Sequence, residues 1–280
     1  MRRRRHLTAA TLAVIAALAA VPAAYAASTI SMSGATASFP LLELLAGRYS
    51  SLRHGSVHFK ISQGGASVGI ADAAAGRVSI GNSSRAPQTG DPSGLYFYPI
   101  AKYFVCIVTN SSNKLANLTG AQAQQIFTGK IRNWSQVPGA TATGPIDVYS
   151  RTSVAGVLTT FQNTLLASGK VGSFATQEAS EGLMQNAVKK DASGIGFLSD
   201  YFALAKGVNA VGYAGTACDV ANVVSGAYPG VSDFYEVTKG PASGQNQAFI
   251  HWIQSSAAAR KIIQSNWIPL GKIQPVVKSA

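Results

Sequence analysis

Short strand-forming segments of this chain repeatedly run into loops made of glycine, serine, alanine and threonine. Four such loops are Gly34-Ala35-Thr36-Ala37-Ser38-Phe39, Gly64-Gly65-Ala66-Ser67, Gly81-Asn82-Ser83-Ser84-Arg85 and Ser150-Arg151-Thr152-Ser153. A chain that alternates strand, tight loop and helix is restricted to the α/β class, with parallel pairing as the expected rule. Helix starts leave backbone N–H groups without intrahelical acceptors and carry the positive end of the helix dipole, so they attract anions. In open α/β sheets ligands sit outside the carboxyl ends of the strands, where these loops lie. Four loops carrying two arginines therefore predict a small-anion site; ordinary capped helices without a ligand are the other reading.

The elements follow from periodicity and punctuation. Strands are expected at Thr29–Met32, Val57–Ile61, Val78–Ile80, Tyr96–Val108, Ile146–Tyr149, Ile195–Leu198 and Phe234–Val237. An amphipathic run of Phe39, Leu41, Leu42, Leu44, Leu45 and Tyr49 predicts the first helix, and Gly64-Gly65 opens a second through Ile70. Further helices are expected at Thr119–Phe127, with Thr119 as N-cap, around Val157–Leu166, and over Asn246–Ile263 with a break in the middle.

The first residues set the compartment. Arg2 to Arg5, an apolar stretch from Leu12 to Ala20 and the run Ala24-Tyr25-Ala26 form the n-region, h-region and cleavage site of a secretory signal peptide over residues 1–26. The apolar stretch is short for a bilayer span, so no integral membrane segment is expected after cleavage. The mature protein is expected to be periplasmic or secreted. The leader holds four of the basic residues and no acid, so its removal lowers the formal charge from +12 to +8. That surface suits an anionic ligand, and the basic residues are too scattered, with no interleaved aromatics, to predict a nucleic-acid partner. In an oxidising compartment Cys106 and Cys218 are expected to form one disulfide, with two buried free thiols as the alternative.

A series of motifs then runs in order along the chain. Gly81-Asn82-Ser83-Ser84-Arg85-Ala86-Pro87 is followed by Leu118-Thr119, then by Ile126-Phe127-Thr128-Gly129-Lys130-Ile131-Arg132-Asn133-Trp134. Later come Ser193-Gly194-Ile195-Gly196-Phe197, Ser225-Gly226-Ala227-Tyr228-Pro229 and Val237-Thr238-Lys239-Gly240. This series resembles the phosphate ABC transporter substrate-binding family (PstS-like, periplasmic binding protein type II). The resemblance implies an α/β protein of two lobes joined by two crossing strands as a hinge. Lobe I would take residues 27–104 and 205–280, and lobe II residues 105–204. It further implies a monomer that grips inorganic phosphate or a similar small anion in the inter-lobe cleft and delivers it to an ABC permease complex. Neither cofactor nor metal nor catalysis is implied.

Carried over residue by residue, the family's ligand site falls on Ser38, Phe39, Ser67, Ser84, Arg85, Arg151 and Gly156. Ala66, Ala155 and Val157 stand where the family usually offers hydroxyls, and the third loop carries Ser84-Arg85 where an acid is often found. Each missing hydroxyl removes a hydrogen bond to a charged ligand of about 1.5–3 kcal/mol. Those departures keep open a second role, a secreted surface, adhesion or secretion-associated protein with a degraded site. A serine hydrolase is the distant alternative, since Gly65-Ala66-Ser67-Val68-Gly69 has the G-x-S-x-G form. His251, the one histidine after Ser67, lies in an apolar helical stretch unsuited to a catalytic base. His54 and His58 are separated by Gly55 at a strand start and do not share a helix face for a metal.

Overall fold

The computed structural model describes residues 28–279. The expected signal peptide lies outside the described residues. The chain begins with β1 (Ser28–Gly34), α1 (Phe39–Leu52), β2 (Val57–Gln63), α2 (Ala66–Ala74) and β3 (Ile80–Ser83). The long strand β4 (Leu95–Asn110) then carries it into a second half. That half contains β5 (Asn117–Leu118), α3 (Gly120–Phe127), β6 (Asp147–Arg151), α4 (Gly156–Thr164) and β7 (Thr176–Glu178). It continues through α5 (Glu181–Lys190), β8 (Gly194–Ser199), α6 (Asp200–Ala203), β9 (Val208–Tyr213) and α7 (Val220–Val224). Strand β10 (Val231–Lys239) returns to the first half, which closes with α8 (Gly244–Ser255), α9 (Ala257–Asn266) and β11 (Val277–Lys278).

The sheet path is β2-β1-β3-β10-β4-β8-β6-β7. Within each half the strand–loop–helix units pair in parallel, β1 with β2 and β3, and β6 with β7 and β8. The connecting strands depart from the expected parallel rule. β10 runs antiparallel to β3 and β4, and β4 runs antiparallel to β8 and β9. The reason is that β4 and β10 cross between the halves in opposite directions. Along β4, Leu95–Phe104 pairs with β10, and from Val105 onward the partners are β8 and β9. Strand β9, which lies beyond residue 204, pairs with the far stretch of β4 and with β5. The expected strand at Val78–Ile80 starts two residues later, at Ile80, and Ser79 just before it is hydrogen-bonded to Ser31 of β1.

Burial explains the elements. In the first half Leu41, Leu45 and Tyr49 of α1 meet Phe249 and Ile253 of α8 in the main core, with Tyr49 edge-on to Phe249 at 5.1 Å. Helix α2 covers a separate small cluster of Ile70, Ala73, Phe97 and Val237. In the second half Phe197 of β8 stacks on Phe161 of α4 at 4.0 Å, with Phe127 of α3 edge-on to Phe161. Helix α3 starts at a reciprocal capping box: Gln122 N donates to Thr119 Oγ1 and Thr119 N donates to Gln122 Oε1. The expected break in the long C-terminal helix falls at Ser256, which ends α8 and caps α9. Cys106 and Cys218 are bonded, joining β4 to the segment between β9 and α7. Among the described residues no helix is long and apolar enough to cross a membrane.

Candidate functional site

The loops after β1, β2 and β3 are sewn together through their backbones. The Gly34 carbonyl accepts from both Gly64 N and Gly65 N at 2.9 Å, and the Asn82 carbonyl accepts from Ala35 N at 3.0 Å. Gly34 has φ +141°, and a Cβ there would lie 2.1 Å from the Asn82 carbonyl oxygen, so this junction requires glycine. Behind the loops, Asn82 Nδ2 donates to Glu236 Oε2 of β10 at 2.6 Å.

Across from these loops stand the end of β6 and the start of α4, in the second half. Between the two sides lies a narrow, partly open cleft with about 150 Å³ of empty space. The first half contributes Ala35, Thr36, Ala37, Gly65, Ala66 and Ser84; the second contributes Arg151, Ala155, Gly156 and Val157. The halves touch around it. Ser67 N donates to the Val154 carbonyl at 3.0 Å, and Glu181 N donates to Thr36 Oγ1 at 3.3 Å. The Tyr103 hydroxyl of β4 donates to the Ser84 carbonyl and shares a 2.9 Å hydrogen bond with Thr160 Oγ1 of α4. Tyr103 stacks face to face on Phe234 of β10 at 4.3 Å, so the two crossing strands meet ring to ring where the chain changes halves. Burial pushes the Tyr103 phenol far above its ordinary value, which keeps that hydroxyl protonated as a donor.

The cavity is rich in uncommitted donors. Ala66 is the first residue of α2, and Gly156 and Val157 are the first two of α4. First-turn amides have no intrahelical acceptor, and both helix dipoles place positive charge at this end. Ser84 Oγ is buried without a hydrogen-bond partner, an orphan that wants a ligand atom or water. Arg151 is 1% exposed and makes a buried ion pair with Glu181 through Nη1 and Oε1 at 2.8 Å. Its Nε donates to the Glu178 carbonyl and its Nη2 to the Ala179 carbonyl. One N–H on each terminal nitrogen is thereby left over for the cavity. The other Glu181 oxygen, Oε2, accepts from Ser199 N and Ser199 Oγ, both at 2.8 Å. The Arg151 charge is thus balanced by an internal carboxylate, and attraction for an anion falls largely to N–H and O–H dipoles.

The sequence-derived site residues divide. Ser84, Arg151 and Gly156 line the cavity; Ser38, Phe39, Ser67 and Arg85 do not. Arg85 is turned away by a bidentate pair with Asp91, Nη1 to Oδ2 at 2.8 Å and Nη2 to Oδ1 at 2.7 Å. Burial pushes the Asp91 carboxyl up, but the Arg85 hydrogen bonds and the Gln88 amide outweigh it and hold the group below its ordinary value. Ser67 Oγ accepts from Arg85 Nη2, and His251 is an exposed residue of α8. Ser38 Oγ folds back onto the Ala35 carbonyl, and Phe39 opens α1. Thr36, two residues before Ser38 in the same loop, supplies the wall instead. The three departures, Ala66, Ala155 and Val157, all lie on the cavity wall. Glu181, which orients Arg151, had no signal in the local sequence: it lies 30 residues away at the start of α5.

A sequence model described as a PBP superfamily domain matches residues 19–257. The "Phosphate-binding protein PstS" of Bacillus subtilis is 25% identical over 253 residues, covering 88% of this chain and 82% of that protein. A crystal structure of a candidate phosphate ABC transporter substrate-binding protein from Clostridium perfringens, with bound phosphate, superposes with TM-score 0.80 at 27% identity. That match covers 86% of this chain and 99% of the other. An ABC-type phosphate transport receptor from Vibrio cholerae shares the fold with TM-score 0.70 at 24% identity, covering 87% and 100% of the two chains.

Proposed function

Because this chain belongs to the PBP superfamily, we propose that it is an exported receptor that captures a small tetrahedral oxyanion, inorganic phosphate foremost, and delivers it to an ABC permease. The observation that carries the reading is the narrow cleft between the halves, where the orphaned Ser84 hydroxyl and two helix starts converge. The phosphate-bound relative from Clostridium perfringens, matched over nearly its whole length, supports the same assignment. In this reading Ser84, the free N–H groups of Arg151 and the amides of Ala66, Gly156 and Val157 hold the anion. Thr36 and Glu181 hold the halves and Arg151 in place. Arg85 and Ser67 act at one remove, stiffening the loop that presents Ser84.

Calorimetry with phosphate on the protein lacking residues 1–26 tests this. Binding is expected, with affinity reduced about 10- to 100-fold in Ser84→Ala, the loss of one hydrogen bond to a charged group. Ser84 is a cleaner probe than Arg151, whose removal would leave Glu181 buried without its partner and destabilise the fold itself. Absence of heat with phosphate, or undiminished binding in Ser84→Ala, would refute the assignment.

A further inference from the structure

The positive charge of the protein is unevenly placed. The first half, residues 28–104 and 231–279, holds eleven basic and five acidic side chains. Three of those acids are paired within the half: Asp72 with Arg77, Asp91 with Arg85 and Asp233 with Lys102. A fourth, Glu236, is fully buried. Eight cations are left with Glu43 as the exposed acid outside an ion pair. Within this half α1 and α9 pack together and leave an open trough of about 470 Å³. Leu44 and Arg48 form its α1 bank, and Ala258, Lys261, Ile262 and Ser265 form its α9 bank. We propose that this trough docks the first half onto a membrane surface that carries anionic phospholipid.

An apolar floor flanked by a guanidinium and an ammonium, with no acid on either bank, is complementary to an amphiphile with a negative headgroup. Arg48 and Lys261 are exposed, and their alkyl stems can lie along the floor while the charges stay at the rim. A guanidinium takes two phosphodiester oxygens at once. A choline headgroup would instead bring a cation for which the trough has no acid. A nucleic acid would ask for stacking aromatics, and the banks carry none. Helix α1 buries Leu41, Leu45 and Tyr49 on its inner side. Leu44 and Leu52 lie on its outer side, 49% and 41% exposed, one turn before and one turn after Arg48. They can enter a headgroup layer without disturbing the core, as the apolar residues of an interfacial helix do. Docking is expected with and without phosphate, because the trough belongs to α1 and α9 alone.

Vesicle co-sedimentation of the protein lacking residues 1–26 tests this, since the four arginines of that segment would otherwise bind anionic lipid themselves. At low salt the protein is expected to sediment with vesicles of mixed phosphatidylglycerol and phosphatidylcholine, and not with phosphatidylcholine alone. Each basic residue at an anionic surface is worth roughly fivefold, so Arg48→Gln/Lys261→Gln should weaken binding by about 10- to 30-fold. Lys239 and Lys278 pair with Leu95 and Tyr96 at the start of β4 and do not line the trough. Lys239→Gln/Lys278→Gln removes the same net charge and should weaken binding by less than about threefold. Leu44→Ser should cost about fivefold. All these positions are exposed, so melting temperatures should match the parent within about 2 °C. Absence of binding to the mixed vesicles would overturn the docking assignment, as would equal binding to both kinds of vesicle. Equal losses in the two double variants would show attraction by net charge without a site, and an unchanged Leu44→Ser would remove the apolar floor from the contact; either result also overturns it.

Discussion

Gly156 belongs to the second half, yet its α-carbon lies against the first. A Cβ built on it would fall 2.6 Å from Ser84 Oγ, 2.8 Å from the Ser84 carbonyl carbon and 3.0 Å from Ala66 Cβ. Ordinary carbon contacts are about 3.5–4.0 Å, so Gly156→Ala requires the halves to stand about 1 Å further apart. That displacement would stretch the 3.0 Å bond from Ser67 N to the Val154 carbonyl and the 3.3 Å bond from Glu181 N to Thr36 Oγ1. It would also withdraw the first amides of α4 from the ligand. Overpacking of this kind costs about 1–3 kcal/mol, equivalent to a loss in affinity of roughly 5- to 150-fold. The clash exists only when the halves are together, so the ligand-free protein can avoid it by opening at the crossing strands. Calorimetry should therefore show weakened phosphate binding with an unchanged melting temperature of the free protein, and solution scattering should show less compaction on adding phosphate. Gly47→Ala is the control: a Cβ there meets nothing within 4 Å, and the change lies in the interior of α1, where it should stabilise by about 0.5–1 kcal/mol without touching affinity. Wild-type affinity in Gly156→Ala, within about twofold, would refute the reasoning. So would an equal loss of stability in the ligand-free protein, since the clash would then not depend on closure.

Two further outcomes concern stability. Burial pushes the Glu236 carboxyl well above its ordinary range, against the opposing Asn82 hydrogen bond, so the folded protein keeps a proton that the unfolded chain loses above about pH 4.3. Its contribution is therefore most favourable below that pH and declines as pH rises toward the folded-state value. Glu236→Gln removes this slope. In denaturant titrations the variant should be more stable than the parent near about pH 8, with the difference shrinking toward acid pH, and a pH-independent difference would show that Glu236 is ionised in the fold. Removing the cross-link in Cys106→Ser/Cys218→Ser opens a loop of 112 residues, for which chain entropy gives about 5 kcal/mol, or a fall in melting temperature of roughly 10–20 °C. A calorimetric scan checks this, and a shift under about 3 °C would mean the unfolded chain gains little freedom from the break.

Much of the scaffold is legible in the sequence because each unit carries its own local signal. Thr119 precedes an amphipathic run and forms the expected capping box, and Ser256 interrupts the last helical stretch where a break is expected. The walls of the cavity are legible too: Ser84, Arg151 and Gly156 are there, and so are the three residues that lack hydroxyls. What escapes is anything decided by a partner outside the local pattern. Arg85 reads as a second cation for the ligand until Asp91, six residues on, takes both of its terminal nitrogens. Ser38 has the right hydroxyl, but the turn before α1 points it back at Ala35, and Thr36 takes its place on the wall. The pairing of β9 with β4 has no local signal for the same reason, since it links residues about a hundred positions apart.

The cross-link has one more consequence, a mechanical one. Cys106 sits just past the point where β4 enters the second half, and Cys218 lies shortly before β10 leaves it. A pulling force applied at the two ends of the chain would travel through the sulfur bridge and bypass everything between. The two cysteines lie 112 positions apart, which amounts to roughly 380 Å of contour length that tension cannot extract until the bridge is reduced. Under load the second half behaves as a sealed parcel hung from the first: it can melt and re-form without lengthening the molecule.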